Sequence, residues 1–263
     1  IKLEKVNDKE GVFTIPNYYC ELGITNRILT LAISNFQDIS VDVEHLILQF
    51  EKKNNITFAE SQKDAIISAF QNGIEIITGG PGTGKTTIIK CIIEIFETCG
   101  LKVLLGAPTG RAAKRMSEST GKEATTIHRM LDMGVFEKEE SVFVTNAEEH
   151  SLEADVVIID EASMIDITLM NALLKSIKVG TRLIIVGDVD QLPSVGAGNV
   201  LNDFIESGFT KVVRLKEIFR QGKESMIVVN AHKINKGEMP KLNEKGTDFF
   251  FIRNDIQEGI LNT

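Results

Sequence analysis

The stretch Gly79-Gly80-Pro81-Gly82-Thr83-Gly84-Lys85-Thr86 fits G-x-x-x-x-G-K-[ST], the pattern of a loop that wraps a phosphate chain. It constrains the fold more than any other feature, because such a loop works only between a strand and a helix. Both flanks are present. Residues 74–77 are apolar except for Glu75, and residues 86–98 carry Ile88, Ile89, Ile92, Ile93, Ile95 and Phe96 at helical spacing. The glycines let backbone N–H groups close on an anion, and the helix N-terminus behind them adds partial positive charge. Lys85 is placed to reach β- and γ-phosphates and Thr86 to ligate Mg²⁺, with Thr87 completing the nucleotide-binding stretch.

A second signal lies at residues 156–161. Val-Val-Ile-Ile reads as a strand buried on both faces, and Asp160 and Glu161 stand at its C-terminal end. Opposite a phosphate loop, Asp160 would hold the metal, directly or through water, and Glu161 would orient or deprotonate an attacking water. Residues 182–186 read as a third buried strand, followed by Gly187-Asp188-Val189-Asp190-Gln191, where Gln191 can hydrogen-bond a γ-phosphate. The small-residue loop at 194–199 reads as one that approaches a ligand backbone. After a further strand at 211–215, Arg220 is a candidate γ-phosphate contact. Residues 101–107 form another strand by composition. It ends in Pro108-Thr109-Gly110-Arg111, at the sheet edge where α/β folds bind ligands. Thr126 and His128 follow; His128 is open between a switch, a nucleic-acid contact and a structural histidine. Upstream, Thr57 and Glu60 have capping-box spacing at the start of a helix. In that helix Gln62 offers an amide that can pair with an adenine edge, the competing reading being an ordinary exposed helix glutamine.

The formal net charge of −8 argues against a general electrostatic grip on nucleic acid. Any such contact is local, and residues 108–129 offer one: Arg111, Lys114, Arg115, Lys122 and Arg129 face only Glu118 and Glu123 in that window. No apolar run reaches the length of a membrane span and no signal peptide is evident, so the expected location is the cytoplasm, without a membrane partner. Cys20, Cys91 and Cys99 lack metal-ligand spacing and read as free thiols. Residues 1–54 read as a helical lead-in or the tail of a missing N-terminal domain, with a short strand at 11–15 and helices at 18–32 and 43–50. Residues 55–245 form the main domain, in which 134–152 is either a hairpin insertion or a disordered loop. A β-like run at 248–252 opens a stub at 246–263.

Taken in order, these motifs resemble superfamily 1 helicases of the RecD type, the α-subunit family of exodeoxyribonuclease V and its stand-alone relatives. The resemblance runs from about residue 57 to 251. It assigns Gln62 to the adenine-reading Q motif, residues 79–86 to motif I, 108–113 to motif Ia and Thr126-Ile127-His128 to the next DNA-facing segment. Asp160-Glu161-Ala162-Ser163 falls in motif II, residues 187–196 in motif III, and 217–221 in motif IV, whose arginine meets the γ-phosphate. Pro108, Thr109, Gly110, Arg111, Thr126 and His128 would accordingly touch DNA. The implied fold is α/β, a RecA-like P-loop NTPase with a mostly parallel sheet and helices on both faces. The implied activity is ATP hydrolysis with Mg²⁺, driving 5′→3′ movement on single-stranded DNA in recombination or repair, with nuclease or helicase complex partners. Motifs V and VI of the family's second motor domain are not found here, so these 263 residues alone are expected to bind nucleotide weakly and turn it over poorly. The reading from another class is a DNA-independent P-loop switch or regulatory module, which single-stranded DNA would not stimulate.

Overall fold

The computed structural model describes residues 1–6, 8–37, 39, 41–133, 151–217, 225–242 and 247–250. The chain opens with strands β1 (Lys2–Val6) and β2 (Lys9–Phe13), then helices α1 (Ile15–Ile33), α2 (Val43–Asn54) and α3 (Glu60–Gln71). The phosphate-loop unit follows as β3 (Ile74–Thr78) and α4 (Lys85–Thr98). Next come β4 (Val103–Ala107), α5 (Gly110–Thr120), β5 (Ala124–Thr126) and α6 (Ile127–Met130). Beyond residue 150 lie β6 (Val156–Ile159), α7 (Ile167–Ser176), β7 (Arg182–Gly187), α8 (Val200–Ser207), β8 (Lys211–Arg214) and α9 (Met226–Asn235). The expected motif IV arginine, Arg220, and most of the expected hairpin at 134–152 lie outside the described residues.

Strands β3 to β8 form one sheet in the order β5-β4-β6-β7-β3-β8, parallel throughout, which bears out the α/β expectation. Alternation along each strand sends apolar side chains to both faces. Ile76, Val157, Ile159, Leu183 and Ile185 join one core with α1, α7 and α8, while Ile77, Val156, Ile158, Ile184 and Val186 join the other with α2, α3 and α4. Each such side chain contributes roughly 1.5–3 kcal/mol by leaving water. Helices therefore cover both faces, and the loops at the C-terminal ends of β3, β6 and β7 come together.

Glu75, the exception in the apolar run of β3, is itself buried at 1% exposure. It accepts a hydrogen bond from Ser68 Oγ on α3, while its Oε2 has no partner among the described residues. Burial pushes its carboxyl up to about 8, so near neutral pH it is a neutral acid in a neutral core. The unfolded chain releases this proton near 4.5 and the folded chain holds it to about 8. The folded pKa being the higher, the stabilisation is complete below 4.5 and is lost as pH rises to about 8, by as much as about 5 kcal/mol. Glu75→Gln, which keeps an acceptor for Ser68, is expected to flatten this dependence. Urea midpoints of both proteins at pH 5.5 and 8.5 check it; equal falls in the two would refute a buried titrating Glu75.

The lead-in departs from the helical expectation. Strands β1 and β2 pair as an antiparallel hairpin, with Leu3 opposite Val12, and β2 ends at Phe13, ahead of the strand end expected at Pro16. Helix α1 begins at Ile15 with Pro16 in its first turn, a position that tolerates proline because no N–H is needed there. Arg27 fastens α1 to the C-terminal end of α7 by donating to the carbonyls of Leu174 (2.9 Å) and Ile177. Helix α2 runs four residues past the expected end, to Asn54, and is capped by Asp42, whose carboxylate accepts from His45 N at 2.9 Å. The start of α3 is a second correction. Its N-cap is Ala59, not Thr57, and the capping side chain is Gln62, whose Oε1 accepts from Ala59 N at 3.0 Å. Phe58 N is instead taken by buried Glu51, at 2.7 Å.

Candidate functional site

The phosphate loop is shaped from within. Gly82 and Gly84 have φ of 77° and 84°, the left-handed region that a Cβ disfavours, and Gly84 caps α4. Thr83 is buried and donates to Gly80 O at 2.8 Å. Lys85 Nζ donates to the carbonyls of Gly79 and Gly80, the latter at 3.0 Å, so its ammonium lies inside the loop where phosphates would sit. Burial lowers the Lys85 pKa, opposed by the negative charges of Asp188, Asp160 and Glu161.

Gln62 is 2% exposed, which rules out the ordinary surface reading. Its Nε2 donates to Thr83 O at 2.9 Å while its Oε1 caps α3. Each end of the amide makes one bond to protein, which leaves one N–H and one oxygen lone pair to meet a base. Gln62 lines the cleft that holds the loop.

That cleft, of about 700 Å³, is lined by residues 81–87 together with Asp160, Glu161, Gln191 and Arg115. Asp160 ends β6, its N donating to Gly106 O at 3.0 Å and its Oδ1 accepting from Glu161 N at 2.8 Å. Burial raises the Asp160 pKa, and the neighbouring Glu161 carboxylate raises it further. Glu161 itself has φ of 54°, a strained left-handed turn for a residue with a side chain, at the start of the 3₁₀ turn Ala162–Met164. Thr86 and Asp160 supply hard oxygen donors in one cleft. No group of three or more acidic, histidine or cysteine residues able to hold a metal occurs among the described residues. That donor set suits Mg²⁺, which keeps waters and takes phosphate oxygens rather than a full protein cage.

Asp188 was not singled out by sequence. It is 2% exposed at the end of β7, its carboxylate accepts from Asp190 N at 3.1 Å, and it heads the attractions holding the charge on Lys85. The rule that marks Asp160, a carboxylate just after an apolar strand run, would have marked it too, since residues 183–187 are apolar. Gln191 is exposed on the following loop and faces the cleft.

The small-residue loop corrects another expectation. A Cβ on Gly196 would stand 2.1 Å from Asp166 Oδ2, and one on Gly198 would stand 2.3 Å from Ile167 Cγ2. These glycines admit the start of α7, where Asp166 caps Leu169 N, rather than a ligand. Likewise Asp248, expected to open a strand, accepts hydrogen bonds from Met226 N (2.6 Å) and Ser225 Oγ at the start of α9. Helix α9, which drew no functional reading, sets His232 Nε2 3.2 Å from Pro81 O, over the phosphate loop.

The expected DNA contacts sit at the neighbouring strand ends of β4 and β5. Thr109 Oγ1 caps α5 by accepting from Ala112 N, and Thr126 Oγ1 caps α6 by accepting from Arg129 N, each keeping its O–H to donate. Gly110, Arg111 and His128 are exposed, so His128 is not a buried structural histidine; Pro108 is half-buried. None of the six lines the cleft, yet all share its edge of the sheet. Cys20, Cys91 and Cys99 are free, as expected.

A parallel sheet with a phosphate loop after β3, Asp160 and Glu161 after β6 and Asp188 after β7 defines a P-loop nucleotide-binding domain. The family model described as an AAA domain matches residues 62–197, more than half of the chain, and the chain belongs to that family. Its relatives bear out the resemblance to RecD-type helicases. The chain is 36% identical over 204 residues to the ATP-dependent RecD2 DNA helicase of Deinococcus radiodurans, covering 78% of this chain and 27% of that protein. It is 37% identical over 187 residues to the RecBCD enzyme subunit RecD of Mycolicibacterium smegmatis, covering 62% of this chain and 33% of the relative. The chain thus spans about a third or less of these relatives' lengths. Among solved structures, the Pif1 helicase of Candida albicans matches in fold with a TM-score of 0.54 and 23% identity, over 71% of this chain and 45% of that one. No helix among the described residues is long and apolar enough to cross a membrane.

Proposed function

We propose that this domain is the ATP-hydrolysing motor of a DNA helicase that moves on single-stranded DNA, 5′→3′, in the cytoplasm, serving recombination or repair. The observation that carries the reading is the convergence of Lys85, Thr86, Asp160, Glu161 and Gln191 on one cleft at the sheet's C-terminal edge, with Thr109, Arg111, Thr126 and His128 along the same edge. Gln62 meets the adenine with the N–H and the lone pair that its protein bonds leave free. Lys85 leaves the loop carbonyls for the β- and γ-phosphates, and the amides of residues 79–87 close around them. Thr86 and Asp160 would hold Mg²⁺, which neutralises charge on the phosphates. Glu161 takes the proton of the attacking water, and Gln191 and Arg220 read the γ-phosphate and its departure. The relatives named as RecBCD subunits support a setting with nuclease and helicase partners as an alternative to a stand-alone motor.

The test is ATP hydrolysis by the full-length protein with and without oligo-dT. A DNA motor is stimulated tenfold or more, on the order expected when a partner completes such a site. Nucleotide binding with no response to oligo-dT would overturn the motor reading in favour of a DNA-independent switch.

A further inference from the structure

Helix α5 touches both halves of the proposed machine. Arg111 lies in its first turn, beside the Thr109 cap, among the proposed DNA contacts. Arg115 and Ser119 follow at steps of four, which puts all three on one face. Arg115 and Ser119 line the nucleotide cleft, and Arg115 Nη1 stands 3.9 Å from Glu161 Oε1. The opposite face, Ala113, Met116 and Thr120, is buried in the domain, so the helix is seated as one rigid piece. Neighbouring Lys114 pairs with Glu118 instead, at 3.9 Å.

We propose that Arg115 is a positioning residue for Glu161: it draws the carboxylate towards α5 while the DNA site is empty, and DNA bound at the first turn of α5 releases it. The inference rests on the motor reading above and names how DNA reaches the hydrolytic site. The backbone of Glu161 is already pinned at φ 54°, so the direction of its carboxylate is set by the side chain and by what that side chain meets. A carboxylate held by a guanidinium is directed towards α5 and away from water beyond a γ-phosphate. The contact is long and the Arg115 side chain is 79% exposed. An exposed pair of this kind restrains by roughly fivefold at most, which a phosphate backbone arriving one helical turn away can overcome.

The experiment compares wild type, Arg115→Ala and Arg115→Lys in the full-length protein, measuring kcat and KM for ATP without DNA and at saturating oligo-dT. Arg115→Ala should raise the DNA-free kcat roughly threefold to fivefold with little change in KM. The ratio of the oligo-dT rate to the DNA-free rate should shrink by at least the same factor. Arg115→Lys, which restores a cation, should return most of the ratio. A DNA-free kcat that stays level or falls overturns the proposal, as does a raised KM with unchanged kcat, which would make Arg115 a plain nucleotide ligand. The two readings fail distinguishably. A wild type indifferent to oligo-dT sinks the motor reading and this coupling together, whereas a stimulated wild type matched by an equally stimulated Arg115→Ala sinks the coupling alone.

Discussion

Lys85→Ala is expected to lower ATP turnover by about three orders of magnitude or more while the fold survives. The two parts of that expectation have separate causes. Lys85 brings the one lysine ammonium that lines the cleft among the described residues, and the phosphoryl group in transfer carries charge that needs a fixed cation. Its contribution to the folded state is local, because its hydrogen bonds go to Gly79 and Gly80 carbonyls in its own loop and not to the core. Removal leaves Asp160, Glu161 and Asp188 without their shared cation, so Asp160 should become still harder to ionise. Turnover assays beside circular dichroism and thermal melts separate the effects. Turnover within tenfold of wild type would sink the assignment of this cleft as the hydrolytic site; a collapsed fold would show that Lys85 holds the loop together.

How much of this was legible from sequence depends on whether the partner of a residue is near in the chain. The phosphate loop, α4 and the carboxylates after β6 are local patterns, in which strand, turn and helix succeed one another within a few residues, and the structure has them where the pattern put them. The sheet face of each strand residue is also local, since it follows from alternation. What was not legible depends on distant groups. Gly196 and Gly198 look like ligand-approach glycines until Asp166 and Ile167 are seen against them. Gln62 looks like a surface residue until Thr83 O, 21 positions on, is found to accept its amide. Glu75 looks like a break in a strand until burial neutralises it. Of the hairpin of β1 and β2, only the second strand is legible, as the short strand at 11–15, because Asn7-Asp8 lacks the glycine of the strongest two-residue turns and β1 is short and charged.

Arg182 is the extreme of that second kind, and its replacement should have the largest effect on stability. It opens β7 in a run read only as a buried strand, and it is 1% exposed. Its guanidinium lies 4.3 Å over the ring of Phe36 and 5.8 Å from that of Phe96. Its Nη2 donates to Gln37 O at 2.7 Å and to Phe70 O at 3.4 Å. One side chain therefore fastens the segment between α1 and α2 to the ends of α3 and β7. Arg182→Ala would leave a cavity against Phe36 and Phe96 and strip the Gln37 carbonyl of its donor, each a named source of large losses. The sum is expected to be about 3–5 kcal/mol. Arg182→Met keeps most of the volume and loses the hydrogen bonds and the cation–π contact, so it should lose distinctly less. Urea unfolding of the three proteins gives the comparison. A loss near zero for Arg182→Ala would mean that the charge is as harmful buried as its contacts are helpful. Equal losses for both variants would place the whole effect in the hydrogen bonds and the ring contact, with no share for packing.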